Sequence, residues 1–218
     1  MLGRLITLAT LCLATPLWAC DTALVLAVDV SGSIDPHEYL LETGGLADAL
    51  QDPEITDALT KGQVALALVH WSGVGHQKLS VPWQRMMTAA DVARFADAIR
   101  AIGRPREYSD TAISEAILYS IKQFSAVADC KQQVIDLSGD GKENATNGLP
   151  DARAKATTDG VTVNAIAIEM GADTTTLSDY FRARVITPGG FVVTAKGLAD
   201  YPRAIREKLL RELTRAVS

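Results

Sequence analysis

The chain has 218 residues, of which 48% are hydrophobic and 22% are charged, and its formal net charge is −5. This length suits one domain with a sizeable core, and the composition excludes a largely disordered chain. Lys and Arg are scattered along the chain, so the sequence lacks the basic stripe typical of nucleic-acid-binding proteins. We therefore expect one folded domain without a nucleic-acid partner.

The first nineteen residues have the pattern of a secretory signal peptide. A single charge, Arg4, is followed by an uncharged run over 5–13 and then by a short cleavage region. The apolar run is too short to cross a bilayer, and no later segment stays apolar for the roughly 20 residues that a membrane helix needs. The sequence predicts a signal peptide at 1–19, a mature domain at 20–218, no transmembrane segment, and export to the periplasm or out of the cell.

Cys20 has two alternative chemical fates. The segment Leu-Trp-Ala-Cys over 17–20 resembles a bacterial lipobox, which would place a lipid anchor on Cys20. Alternatively, the mature chain keeps the two cysteines Cys20 and Cys130, and an even pair in an oxidising compartment suggests a disulfide. From these residues alone, both a lipoprotein and a disulfide-bonded protein remain open.

Strand and helix patterns alternate along the mature chain. An apolar run over 22–28 predicts a strand buried on both faces, and Asp35 then provides the N-cap of a helix. Strands over 63–71 and 77–81 flank a glycine turn, which predicts an antiparallel hairpin. The other predicted elements are helices over 91–102, 113–124, 177–184 and from about 200 onward, and strands over 132–137, 161–168 and 191–194. This alternation predicts an α/β three-layer sandwich, in which a mostly parallel central sheet with one antiparallel edge strand has helices on both faces.

Oxygen-bearing side chains follow directly after the first buried strand. Asp29, Ser31 and Ser33 occupy alternate positions, and Gly32 allows the loop to curl so that their oxygens converge. Carboxylate and hydroxyl oxygens suit Mg²⁺ or Ca²⁺ and do not suit zinc or copper. Considered alone, the same three residues could instead serve as turn and helix-cap residues. Their position at the carboxyl end of a strand is where ligands bind in open α/β sheets.

Two further segments extend the pattern to the whole chain. Tyr-Ser-Asp-Thr-Ala over 108–112 precedes a helix, and Ser-Gly-Asp-Gly over 138–141 ends a strand. Together with Leu-Ala-Val-Asp-Val-Ser-Gly-Ser over 26–33 and the strand end at His70 and Trp71, they resemble the von Willebrand factor type A superfamily. Within it, the chain looks like a bacterial branch of exported, single-domain proteins of uncharacterised function. The resemblance covers essentially the whole mature chain and implies the fold predicted above.

The resemblance implies a metal site that three loops assemble. Matched position by position, Ser31, Ser33 and Thr111 would bind the metal directly, and Asp29 and Asp140 would often act through water. Two aspartates nearly neutralise a divalent cation, while three neutral hydroxyls leave it electrophilic enough to take a carboxylate from another protein. Mg²⁺ is the first choice because it keeps waters and takes few carboxylates, with Mn²⁺ or Ca²⁺ as alternatives. The implied partner is a protein that presents an acidic residue.

The fourth strand leaves the identity of one ligand open. In the family this strand usually runs directly into Ser/Thr-Asp-Gly, whereas here Gly139 separates Ser138 from Asp140. Asp136 is therefore a rival for the metal position. A mid-strand position suits a ligand less than the strand end does, which favours Asp140.

The resemblance also favours the disulfide. Cys20 lies nine residues before Asp29, and Cys130 lies ten residues before Asp140. If those aspartates end neighbouring parallel strands, as the resemblance implies, the two cysteines lie nearly level at the opposite strand ends. Adjacent strands are about 4.8 Å apart, a spacing that a disulfide can bridge. We therefore expect a Cys20–Cys130 bridge in preference to a lipid anchor.

The sequence contains no complete signature of a common hydrolase. A His-Glu-x-x-His metalloprotease motif would begin at His37 but has Leu41 at its last position, and no Gly-x-Ser-x-Gly elbow occurs. We predict a binding module that is not an enzyme. The main alternative is a hydrolase that uses the same metal to polarise a phosphate, and a third is a domain that keeps the fold without binding metal.

Overall fold

The computed structural model describes residues 20–105, 110–170 and 176–215. Within these ranges the chain forms six strands: β1 (Cys20–Asp29), β2 (Ala65–Trp71), β3 (Gln77–Arg85), β4 (Cys130–Gly139), β5 (Val161–Ile168) and β6 (Val192–Ala195). It also forms seven α-helices: α1 (Pro36–Leu50), α2 (Pro53–Lys61), α3 (Ala89–Ala101), α4 (Ile113–Gln123), α5 (Leu149–Thr158), α6 (Leu177–Arg184) and α7 (Tyr201–Arg215). The predicted signal peptide at 1–19 lies outside these ranges, as do Tyr108 and Ser109 of the second predicted loop.

The strands form one sheet in the order β3-β2-β1-β4-β5-β6. Every neighbouring pair is parallel except β2 and β3, which pair antiparallel, so β3 is the antiparallel edge strand that the glycine turn predicts. Because side chains alternate across a strand, β1 supplies both faces of the sheet. Leu24, Leu26 and Val28 pack into the core that α1, α2, α3 and α7 cover. Ala23 and Val25 pack into the core beneath α4, α5 and α6. The three-layer α/β sandwich is confirmed.

Helices α2 and α5 are absent from the elements that the sequence predicts. Asp52 caps α2 by accepting from the backbone N–H groups of Glu54 and Ile55, and only a short apolar face of this helix is buried. Helix α5 buries two alanines besides Leu149, so its apolar spacing is weak. Among the helices of the described ranges, none combines the length and the apolar composition needed to cross a membrane.

Strands β1 and β4 begin level with each other, with Cys20 paired to Cys130 in the register. The two sulfurs form a disulfide, and the Cα atoms are 4.4 Å apart. The predicted bridge is therefore confirmed. A sulfur in a disulfide cannot also carry a thioether-linked lipid, so the structure favours the bridge over the lipid anchor on Cys20.

A buried ion cluster fixes α7 to the sheet. Lys208 has no solvent exposure, and its Nζ atom lies 2.6 Å from Oδ1 of Asp136 and 2.5 Å from Oε1 of Glu212. Asn164 on β5 donates to the same Glu212 oxygen at 2.8 Å, and its own carbonyl accepts from the backbone of Phe191. Asp136 is thus a partner of Lys208 in the core, which favours Asp140 over Asp136 as the predicted ligand.

Candidate metal site

The first and third predicted loops meet at the carboxyl end of the sheet. Asp29 is the last residue of β1, and the loop after it leads to α1, whose capping box at Asp35 forms as the sequence predicts. Ser33 Oγ donates a 2.7 Å hydrogen bond to Oδ1 of Asp140, which directly follows β4. The hydroxyl of Ser31 lies 3.2 Å from that of Ser33. Four of the five predicted ligands therefore lie next to one another, although 107 residues separate the Ser33–Asp140 pair.

The second loop brings Thr111 to the same place. Its backbone N–H donates to Oδ1 of Asn144 at 2.8 Å, and its carbonyl accepts from the Asn144 N–H at 3.1 Å. A Cβ atom added at Gly141 would lie 3.2 Å from the Thr111 hydroxyl. The absence of a side chain at Gly141 thus lets the Asp-Gly turn that carries Asp140 lie against Thr111.

Asp29 is the electrostatic centre of this cluster. Its side chain is fully buried, Oδ1 accepts from the Ser31 N–H at 2.8 Å, and Oδ2 has no hydrogen-bond partner. Burial raises the pKa of Asp29 to about 7 against the opposing effect of the Ser31 hydrogen bonds, and the nearby Asp140 raises it further. Burial also raises the pKa of Asp140, although the hydrogen bond from Ser33 opposes that rise. An unsatisfied buried carboxylate oxygen is costly, so this position favours a bound cation.

The chemistry of these side chains fits a hard divalent metal. The cluster offers the carboxylates of Asp29 and Asp140 and the hydroxyls of Ser31, Ser33 and Thr111, all of them oxygen donors. In the part of the chain that the structure describes, no three His, Cys, Asp or Glu side chains converge as metal ligands. The candidate centre is therefore of the mixed carboxylate and hydroxyl kind, and Asp29 Oδ2, which is buried without a hydrogen-bond partner, is available to a cation.

The structure explains why Gly139 stands between Ser138 and Asp140. Strand β4 continues through Gly139, and a Cβ atom there would approach Asp29 Oδ2 to 3.1 Å and the Trp71 ring to 3.4 Å. A larger residue would press against the buried carboxylate. The glycine thus allows β4 to pass close to Asp29 and places Asp140 at the true end of the strand.

Glu42 is not part of any motif in the sequence, yet its side chain lies near the candidate metal site. It projects from α1 with no solvent exposure, and its Oε1 accepts a 2.6 Å hydrogen bond from Ser138. Burial raises the pKa of Glu42 to about 8, the Ser138 hydrogen bond opposes this, and the negative charge of Asp29 adds to the rise. The available sequence signal is the spacing of Glu42 between Tyr39 and Leu46, which places it on the buried face of α1.

These raised pKa values predict that the metal-free protein loses stability as the pH rises from 6.5 to 8.5. Between an ordinary pKa of 4.5 and about 8, the folded state holds a proton on Glu42 that the unfolded state has released, so stability falls with pH. Asp29 acts in the same direction. His70 acts oppositely, but only below 6.5, because burial lowers its pKa to about 4.

Urea unfolding in chelator at the two pH values measures this fall. Glu42→Gln keeps an acceptor for Ser138 but cannot ionise, so it should make the fall in stability with pH less steep, whereas the exposed control Glu54→Gln should not. The part of the fall that comes from Asp29 and Glu212 should remain. A wild-type slope in Glu42→Gln would show that Glu42 does not titrate in this range.

Comparison with known proteins places the chain in a family and identifies its fold. The family model described as protein of unknown function DUF1194 matches residues 19–217. No curated protein matches the chain. Among solved structures, proximal thread matrix protein 1 from the mussel byssus is similar with a TM-score of 0.65 and 21% identity, over 88% of this chain and 47% of that one. This chain thus spans about half the length of the mussel protein.

Two bacterial structures show the same likeness. A von Willebrand factor type A protein from Catenulispora acidiphila has a TM-score of 0.62 and 18% identity, over 89% of this chain and 43% of that one. The von Willebrand factor domain of the type V pili tip protein Mfa5 from Porphyromonas gingivalis has a TM-score of 0.64 and 10% identity, over 90% of this chain and 96% of that one. At these identities the likeness shows the fold alone. The chain therefore belongs to the DUF1194 family and has the fold of a von Willebrand factor type A domain.

Proposed function

We propose that this protein is an exported binding module that engages an acidic side chain of a partner protein through a divalent metal. The observation that carries the proposal is the buried, unpartnered Oδ2 of Asp29 at the place where Ser33 and Asp140 join two loops. A bound cation would satisfy that oxygen. It would also supply a positive centre at the end of the sheet that can attract a carboxylate.

In this proposal each predicted ligand has a role. Asp29 and Asp140 balance the charge of the cation, and the hydroxyls of Ser31, Ser33 and Thr111 provide neutral oxygens that leave it electrophilic. Mg²⁺ is our first choice because it takes few carboxylates and keeps its waters, with Mn²⁺ or Ca²⁺ as alternatives. Another structure of the mussel protein, 20% identical to this chain, has a zinc-occupied MIDAS motif, which supports a divalent metal in general.

Binding is favoured over hydrolysis because the neighbouring carboxylates have structural partners. Glu38 accepts from the Asp35 N–H in the capping box of α1, and Glu42 accepts from Ser138. Glu143 accepts from the backbone N–H groups of Ser114 and Thr146. A hydrolase would need one of these acids, or another group beside the metal, to act as a base toward water.

Export is supported by two independent features. The Cys20–Cys130 disulfide is typical of an oxidising compartment, and the sequence predicts a signal peptide at 1–19. One of the similar structures is a domain of a pilus tip protein, which agrees with this proposal. We therefore place the protein in the periplasm or outside the cell.

The function is tested by capture of partners from the native host, with the protein immobilised in Mg²⁺ or in chelator. We expect a partner that is retained in Mg²⁺ and lost in chelator or with Asp140→Ala. The control Asp57→Ala, an exposed residue of α2 whose ion pair among the described residues is with Lys61, should retain it. Equal retention under all conditions would contradict a metal-bridged interface, and Mg²⁺-dependent phosphate release that Asp140→Ala abolishes would favour the hydrolase.

A further inference from the structure

A pocket of about 330 Å³ opens beside the metal loops, on the side of β2 and β3. It begins at the first metal loop and extends over the turn between the two strands. Residues that line it include Val30, His70, Ser72, His76, Lys78 and Pro105. The pocket is separate from the five proposed ligands, and the proposed function does not use it.

Backbone hydrogen bonds hold the pocket wall to the candidate metal site. The Val30 N–H donates to the carbonyl of Trp71 at 2.9 Å, which ties the first metal loop to the end of β2. The Ala112 N–H, next to Thr111, donates to the carbonyl of Ser72, also at 2.9 Å. Residues 71 and 72 therefore connect two of the three metal loops, and the chain that follows them forms the pocket. A ligand group bound in the pocket would have a fixed position relative to the metal.

The polar groups of the pocket suit an anion. None of the described residues that line it is Asp or Glu, and the exposed Lys78 forms no ion pair with any described residue. His70 lies at the base with its ring nitrogens near the hydroxyls of Tyr39, at 3.3 Å, and Ser80, at 2.8 Å. Burial and the nearby Lys78 lower the pKa of His70, so its ring is neutral at pH 7. Lys78 is therefore the main source of positive charge.

We propose that this pocket binds a second acidic side chain of the same partner segment whose first acidic side chain engages the metal. This inference rests on the proposed function and adds a requirement for two acids in the partner. Strand β3 lies two strands from β1, a distance of about 10 Å. A partner segment in the extended polyproline II conformation rises about 3.1 Å per residue and presents every third side chain on the same face. The two acids should therefore be about three residues apart.

Synthetic peptides of Ser and Ala that carry either one Asp or two Asp residues three positions apart test the requirement. Each peptide is titrated into ¹⁵N-labelled protein with Mg²⁺, and amide shifts give both the affinity and the place of contact. We expect the two-Asp peptide to bind about tenfold more tightly, as one additional charge-assisted contact allows. Its second Asp should shift the amides of Gly75 and Lys78.

Lys78→Glu should reduce the affinity for the two-Asp peptide to that for the one-Asp peptide or below. Lys131→Glu, an exposed residue at the opposite end of the sheet, should change neither affinity. If the one-Asp peptide binds in a metal-dependent way and the second Asp adds nothing, the pocket proposal is wrong and the proposed function stands. If the tighter binding of the two-Asp peptide depends on Lys78 but persists in chelator, the proposed metal-bridged function is wrong. If neither peptide binds in Mg²⁺, both proposals are contradicted.

Discussion

Replacement of Lys208 by Met is expected to lower the free energy of unfolding by about 3–5 kcal/mol, the usual cost of removing one partner from a buried ion pair. Lys208 is the shared cation between Asp136 and Glu212, and each carboxylate already has one buried oxygen without a hydrogen bond. Without the ammonium group, two like charges face each other in the core. Burial already raises the pKa of Glu212 despite the attraction of Lys208. The loss should therefore be larger at pH 8 than at pH 5.

Urea unfolding of Lys208→Met measures the loss, with the exposed Lys131→Met as the matched control. The triple variant Lys208→Met, Asp136→Leu, Glu212→Gln should recover much of the stability, because it removes both carboxylates and keeps an acceptor for Asn164. A loss below about 1 kcal/mol in Lys208→Met, as for an exposed ion pair, would show that the cluster is solvated.

Removal of the disulfide is expected to cost about 2–5 kcal/mol. Cys20 and Cys130 are 110 residues apart in sequence, so their bond restricts a large loop of the unfolded chain. It also fixes the ends of β1 and β4, the two strands that carry Asp29 and Asp140. The double variant Cys20→Ala, Cys130→Ala should therefore unfold at a lower urea concentration than the oxidised wild type.

Reductant provides the internal control for this measurement. It should lower the stability of the wild type toward that of the double variant and leave the double variant unchanged. Mass spectrometry of the non-reduced mature protein should find Cys20 and Cys130 joined by a disulfide. Two free thiols or an acylated Cys20 would contradict the bridge.

The fold was predictable because its elements depend on local patterns. The apolar run of β1 indicates a strand buried on both faces, and Asp35 marks the start of α1 by its own hydrogen bonds. Helices α2 and α5 could not be predicted from local sequence patterns, because they are short and bury few large side chains. Loops at the ends of parallel strands meet at one edge of the sheet, so three distant motifs predict one candidate site.

The buried charges were not predictable in the same way. Lys208 and Glu212 look like ordinary polar positions of an amphipathic helix, and they form an ion cluster only because α7 packs over Asp136 of a distant strand. The environment of Glu42 likewise depends on how α1 packs against Ser138. The pocket lined by Lys78 arises from the path of the turn between β2 and β3, which no residue pattern specifies.

The most direct test of a metal site built from Asp29, Ser31, Ser33, Thr111 and Asp140 is the melting temperature with and without divalent metal. At a metal concentration 100-fold above Kd, binding stabilises by about 2.7 kcal/mol, or about 5–10 °C for a domain of this size. We predict this rise for the wild type and for the control Asp57→Ala in Mg²⁺ or Mn²⁺, and its loss in Asp29→Ala and Asp140→Ala. An equal rise in all four proteins would contradict the site and place the metal elsewhere.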